Sequence, residues 1–235
     1  EYESRVNARR VERALPLRDH RALRLSGRRP VGGCGRLVQV DSYWNCNAAY
    51  HRWVLRTVAL REKVLDVGCG EGLLVERLAR RCGCVVGIDP DLVAAERASQ
   101  RAAGVRNASV AVTGFEEFDG KPGSFDAVVF VATLHHLDMA EALGKAVRLL
   151  CPGGVIAVVG CHARKTMIDW LVDAARVIPA KLLATIHREV GDVGVCVKDP
   201  SLSLQEIRRI AAPILPGASI RRALFYRYLM AWTKP

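Results

Sequence analysis

The sequence predicts an α/β fold organised around a wound, mostly parallel β-sheet. Three observations predict it. Short apolar runs recur at 64–67, 85–88, 110–112, 127–131 and 155–159, and uninterrupted runs of this length suit strands buried on both faces. Segments with helical spacing fill the gaps, at 73–82, 91–103 and 138–150, and strands alternating with helices build β-α-β units. The first run ends in a cluster of glycines that leads into a helix, the arrangement of a ligand-holding turn.

Taken in order, residues 1–40 stand apart. They hold ten Arg, no Lys and four acidic residues, a net charge of +6, against +5 for all of 41–235. With few aromatics and a Gly32-Gly33-Cys34-Gly35 end, this reads as a basic, disordered arm. A second reading makes it an arm for nucleic acid or an anionic membrane, although no aromatics interleave with its arginines. The domain proper then covers 41–235. Tyr43, Trp44, Tyr50 and Trp53, followed by Val54, Leu55 and Val58, predict an amphipathic helix ahead of the first strand. Its aromatics either pack on the sheet, or Tyr43, Asn47, Tyr50 and His51 close over a ligand.

Further on, Asp138 begins a helix as its cap, with Met139, Leu143, Ala146, Val147 and Leu150 at helical spacing. Pro152-Gly153-Gly154 is expected to turn into the fifth strand. Residues 161–200 break the alternation and read as a helical insertion, with Pro179 splitting its helix. Ser203 and Glu206 form a capping box, with Leu202 and Ile207 placed as a hydrophobic staple. Pro213 and Pro216-Gly217 end that helix, and 219–224 and 226–233 close the sheet as a hairpin.

Composition excludes several classes. Half the residues are apolar, so a sizeable core is available. No apolar run reaches the roughly 18–20 residues of a membrane span, and no secretory h-region follows the first arginines. Cys82-Gly83-Cys84 has no second pair at zinc spacing, so no metal is expected. The eight cysteines are expected as reduced, mostly structural thiols in a cytoplasm.

The glycine turn carries the chemistry. A glycine turn is expected to point backbone N–H groups at its ligand. Its sequence is Asp66-Val67-Gly68-Cys69-Gly70-Glu71-Gly72, with Asp89 at the tip of the next strand. A nicotinamide fingerprint needs its third glycine where Leu73 stands, and no Walker-type Gly-Lys-Ser/Thr is present. This D-x-G-x-G-x-G pattern resembles the first motif of the class I S-adenosylmethionine-dependent methyltransferases. Four later segments match in order: Asp89-Pro90; Thr113-Gly114-Phe115; Phe125 to Val131 with its loop through His135-His136; and Leu150-Cys151-Pro152-Gly153-Gly154.

The resemblance implies a Rossmann-like three-layer sandwich, with a seven-stranded sheet whose C-terminal strand runs antiparallel. It implies S-adenosylmethionine as cofactor, bound by Asp66, Val67, Gly68, Cys69, Gly70, Gly72, Asp89, Pro90, Gly114, Phe115 and Val131, with Tyr43 closing over it. Asp89 would accept the ribose hydroxyls. Many relatives carry Asp where Gly114 stands, so the acid facing adenine is either absent or supplied by Glu116.

The acceptor is less legible. Methyl transfer from a sulfonium mainly requires alignment and exclusion of water. The loop Ala132-Thr133-Leu134-His135 lacks the D/N-P-P-Y motif of nucleic-acid amino-methyltransferases, and no Pro-Cys nucleophile follows the fourth strand. It looks like the loop of quinone-biosynthesis and other small-molecule enzymes. A small, partly apolar acceptor is therefore expected, rather than nucleic acid. His135, His136 and His162 are the candidate bases. Trp170, Leu171, Leu182, Leu183 and Ile186 in the insertion are candidate acceptor-pocket residues, and no motif addresses the oligomeric state. The alternatives are a nucleic-acid enzyme using the basic arm and a non-catalytic cofactor-binding protein.

Overall fold

The structure, a computed structural model, describes residues 45–165, 167 and 199–235. The basic arm, Tyr43, Trp44 and the acceptor-pocket candidates of the insertion lie outside the described residues.

Seven strands form one sheet: β1 Lys63–Val67, β2 Cys84–Asp89, β3 Ala108–Val112, β4 Phe125–Val131, β5 Leu150–Cys161, β6 Ser219–Arg222 and β7 Arg227–Thr233. Their order is β3-β2-β1-β4-β5-β7-β6. The first five run parallel, and β7 is antiparallel to both its neighbours. The chain therefore steps outward from β1 to β3, then returns to place β4 on the other side of β1. That reversal opens a crevice at the carboxyl ends of β1 and β4, the place where wound sheets bind ligands.

The helices are α1 His51–Thr57, α2 Leu73–Ala79, α3 Leu92–Ala102, α4 Met139–Leu149 and α5 Leu204–Ile214. Strand side chains alternate between faces, and the core divides accordingly. Leu65, Val67, Val128, Phe130, Ile156 and Val158 pack with Leu143 and Ala146 of α4 and Ile207 and Ala211 of α5. Val64, Ala127, Val129, Ala157 and Val159 pack with Val54 of α1, Leu74, Val75 and Leu78 of α2 and Ala98 of α3. Three layers result, and buried apolar runs on both faces explain why the strands read as continuous Val, Ile and Ala.

Local signals set the helix starts. Ser203 and Glu206 form a reciprocal capping box, and Leu202 packs against the cluster that holds Ile207, as a staple requires. Asp138 accepts from the Glu141 N–H at 2.9 Å. For α3 the cap is Asp91, which accepts from Val93 and Ala94.

The stretch 152–154 differs from the expected turn. Pairing jumps from Phe125 opposite Leu150 to Ala127 opposite Val155, so the residues between are a bulge inside β5. They stay in the ladder because Gly153 donates to the Lys234 carbonyl and Lys234 donates to that of Gly154.

The β6–β7 connection turns through Phe225 and Tyr226, both left-handed with φ of 56° and 57°, and Arg227 N donates to Leu224 O. This is the twist-matched hairpin turn without its usual Asn-Gly. Surrounding contacts hold it. Tyr50 Oη donates to Leu224 O at 2.8 Å, and Arg164 stacks 4.7 Å over the Tyr226 ring. Arg227 Nη2 then donates to Asn47 Oδ1 at 2.8 Å, which ties the segment before α1 to the hairpin.

Among the described residues no helix is long and apolar enough to cross a membrane. Six cysteines are described, and all are free thiols.

Candidate active site

At the carboxyl ends of β1, β2 and β4 lies a cavity of about 480 Å³. Asp66, Val67, Gly68, Cys69, Gly70, Asp89, Pro90, Gly114, Phe115, Val131 and His136 all line it. Gly72, His135 and His162 do not.

The glycine turn differs from the expected cradle of free N–H groups. Gly68 N and Cys69 N both donate to Ile88 O, at 2.8 and 3.0 Å, and Gly72 N donates to Cys69 O. Gly70 N donates to Asp89 Oδ2 at 2.8 Å. With its N–H groups engaged, the turn is a poor phosphate nest. What lies in the wall beside the turn is the Asp66 carboxyl, a group suited to a cation.

Asp66 is the sharpest electrostatic feature. It is 1 % exposed, and among the described residues its Oδ2 has no hydrogen-bond partner. Burial first, and the nearby Asp89 second, raise its pKa to about 7. A buried carboxyl with an idle oxygen is costly unless a ligand uses it. S-adenosylmethionine carries an ammonium and a sulfonium, so it supplies the charge this wall lacks.

Asp89 is held by two backbone donors, Gly70 N on Oδ2 and Asp91 N on Oδ1 at 2.9 Å. A carboxylate has about four lone-pair sites, so two remain for a cis-diol. Gly68 and Gly72 serve shape. Gly68 has φ of 68°, and a Cβ there would collide with Thr133. Gly72, with φ of 77°, lets α2 approach α3, since a Cβ would sit 2.8 Å from Ala98 Cα.

The segment after β3 also departs from expectation. A Cβ on Gly114 would run into the Glu117 carboxylate, so Glu117 fills the space that a side chain at 114 would take. Glu116 and Glu117 both line the cavity, but the space vacated at Gly114 belongs to Glu117. Phe115 both lines the cavity and packs edge-to-face on Phe130 at 5.4 Å.

The other histidines sort by position. His136 is on a 3-10 turn, Leu134–His136, with its ring 4.2 Å from that of His135. The turn is set up by Ala132, which is left-handed with φ of 54°, and by Thr133 Oγ1 donating to Val131 O. His162, 2 % exposed, is bound to the Ala163 carbonyl and has no place in the cavity wall. His51 does line it. Arg77 Nη1 is 3.0 Å from His51 Nδ1, and a guanidinium only donates, so the ring proton is on Nε2. Burial, with Arg77 adding to it, lowers the His51 pKa to about 3. His51 is thus a fixed neutral donor, not a base.

A family profile described as a methyltransferase domain matches residues 64–154. An uncharacterized methyltransferase of Mycobacterium tuberculosis is 34% identical over 200 residues, spanning 83% of this chain and 100% of that protein. The chain belongs to the class I S-adenosylmethionine-dependent methyltransferases. It is also similar to a ubiquinone biosynthesis O-methyltransferase of Pseudomonas aeruginosa, 37% identical over 98 residues, covering 40% of this methyltransferase and 42% of that enzyme. An N-methyltransferase from Bradyrhizobium japonicum, solved with S-adenosylhomocysteine, shares the fold. Its TM-score is 0.55 at 22% identity, over 81% of this chain and 89% of that one. The cofactor of this methyltransferase is S-adenosylmethionine.

Proposed function

We propose that the enzyme methylates a small, partly apolar acceptor that meets the cofactor inside the 480 Å³ cavity. One observation carries this reading. The cavity that holds Asp66 and Asp89 is also walled by Asn45, Asn47, Ala48, His51 and His136, so one continuous cleft has room for donor and acceptor side by side. Its size falls in the range of about 300–1,000 Å³ usual for small-molecule sites. The similarity to a ubiquinone biosynthesis O-methyltransferase supports an acceptor of that kind.

When bound, S-adenosylmethionine supplies an electrophilic methyl group on a sulfonium. Asp66 would hold the cationic end, and Asp89 the ribose diol. Glu117 and Phe115 would hold the adenine. His51, fixed by Arg77, donates from Nε2 and orients the acceptor. His136 takes the proton that a hydroxyl or amine nucleophile must lose. Leu137 and Val131, also in the wall, exclude water, and alignment of this kind supplies most of the rate.

The test is transfer of labelled methyl to a panel of phenols, catechols, amines and quinols. His136→Asn should lower kcat by about 10²–10⁴-fold and remove the acid limb of the pH profile, while leaving S-adenosylhomocysteine affinity intact. An unchanged pH profile in this variant contradicts the role given to His136. Transfer confined to nucleic acid contradicts the small acceptor.

A further inference from the structure

A second cleft, of about 360 Å³, adjoins the cavity and shares Ala48 and His51 with it. Its remaining wall is dominated by Arg52, Arg56, Arg77 and Arg81. Arg52 and Arg56 are four residues apart on α1. Arg77 and Arg81 are four apart on α2 and the turn that follows it. Residues four apart on a helix project side by side, and like charges so placed repel. The helical pair Arg52 and Arg56 therefore shares one space with Arg77 of α2 and Arg81 of the turn after it.

No described carboxylate neutralises Arg52, Arg56 or Arg81. The ion pairs among the described residues belong to Arg80, Arg97, Arg101 and Lys165. Glu76, the acid within α2, is taken by Arg80 and Arg101. Arg77 is anchored by its bond to His51 Nδ1 at 3.0 Å, which aims it at the shared wall. Guanidinium forks match carboxylate and phosphate oxygens two at a time, and a cleft of one sign concentrates the opposite ion.

We propose that the acceptor is an anion. Its phosphate or carboxylate docks among Arg52, Arg56, Arg77 and Arg81, while its nucleophile passes His51 into the cofactor cavity. This rests on the small-acceptor reading and narrows it: the acceptor has a charged end and a reacting end separated by the width of the His51 ring.

The experiment uses the full chain loaded with S-adenosylhomocysteine and two probes, inorganic phosphate and benzoate, titrated by calorimetry in low-chloride buffer. At least one should bind saturably, and the pair separates a phosphate site from a carboxylate site. Arg52→Gln with Arg56→Gln, and separately Arg81→Gln, should each weaken that binding by about tenfold or more. Unchanged S-adenosylhomocysteine affinity shows that the variants are folded. Failure of both anions to bind overturns the proposal. So does binding indifferent to either variant, which would put the anion on another basic surface. Full turnover of an uncharged acceptor, unaffected by Arg52→Gln with Arg56→Gln, also overturns the anion site, yet leaves methyl transfer to a small acceptor standing.

Discussion

Replacing Asp66 with Asn should move stability and cofactor affinity in opposite directions. The Asp66 carboxyl is buried with an idle oxygen, and its pKa rises from 3.8 to about 7 on folding. A raised folded pKa contributes stability that is present below the unfolded value and lost as pH climbs through the folded one. At about 1.4 kcal/mol per pH unit, the loss is at most about 4 kcal/mol, of which roughly 2–3 falls between pH 5 and pH 8. Asn does not ionise and loses none of it. Urea unfolding of the cofactor-free protein should therefore show Asp66→Asn gaining on the wild type as pH rises, by about 2–3 kcal/mol across that window. Cofactor binding should do the reverse. The ammonium that S-adenosylhomocysteine retains favours the ionised form, so wild-type affinity for it should climb with pH up to about 7, by no more than about tenfold per unit. The variant should bind weakly and without that slope. Parallel unfolding curves for the two proteins, or equal affinity at pH 8, would refute the role given to this carboxyl.

Three further substitutions separate shape from contact. Gly68→Ala forces a Cβ onto a left-handed residue and into Thr133, and should cost about 2 kcal/mol or more in urea unfolding along with most cofactor affinity. Glu117→Ala should weaken S-adenosylhomocysteine by about tenfold in calorimetry without shifting the unfolding midpoint, whereas Glu116→Ala should leave affinity unchanged.

The parts of this enzyme that were legible in sequence are those set by neighbours in the chain. Buried strands announced themselves as runs such as Val64–Val67 because both faces of the sheet are covered. The Ser203–Glu206 capping box needed only four residues. The spacing of Gly68, Gly70, Gly72 and Asp89 identified the donor because the turn and the strand tip are one local unit. What escaped depends on chain segments meeting in space. The glycine N–H groups are consumed by Ile88 and Asp89, which takes away the expected donors of the turn. Glu117 reaches back over Gly114, three residues along the chain, a contact that no spacing in the sequence announces. His51 was legible as a residue that could face a ligand, but its tautomer is set by Arg77, 26 residues on. The bulge at 152–154 follows from pairing with Lys234 at the far end of the chain. The four arginines of the second cleft come from two helices, and no local pattern joins them.

The most direct test of the central claim, that this cavity holds an adenosyl-amino-acid cofactor, is a calorimetric titration of the full chain with S-adenosylhomocysteine and, separately, NAD. Saturable one-to-one binding of the first and none of the second is expected, with Asp89→Ala losing about a hundredfold in affinity because two charge-assisted contacts to the ribose disappear. Binding of NAD in place of S-adenosylhomocysteine, or an Asp89→Ala variant that binds like the wild type, would contradict it.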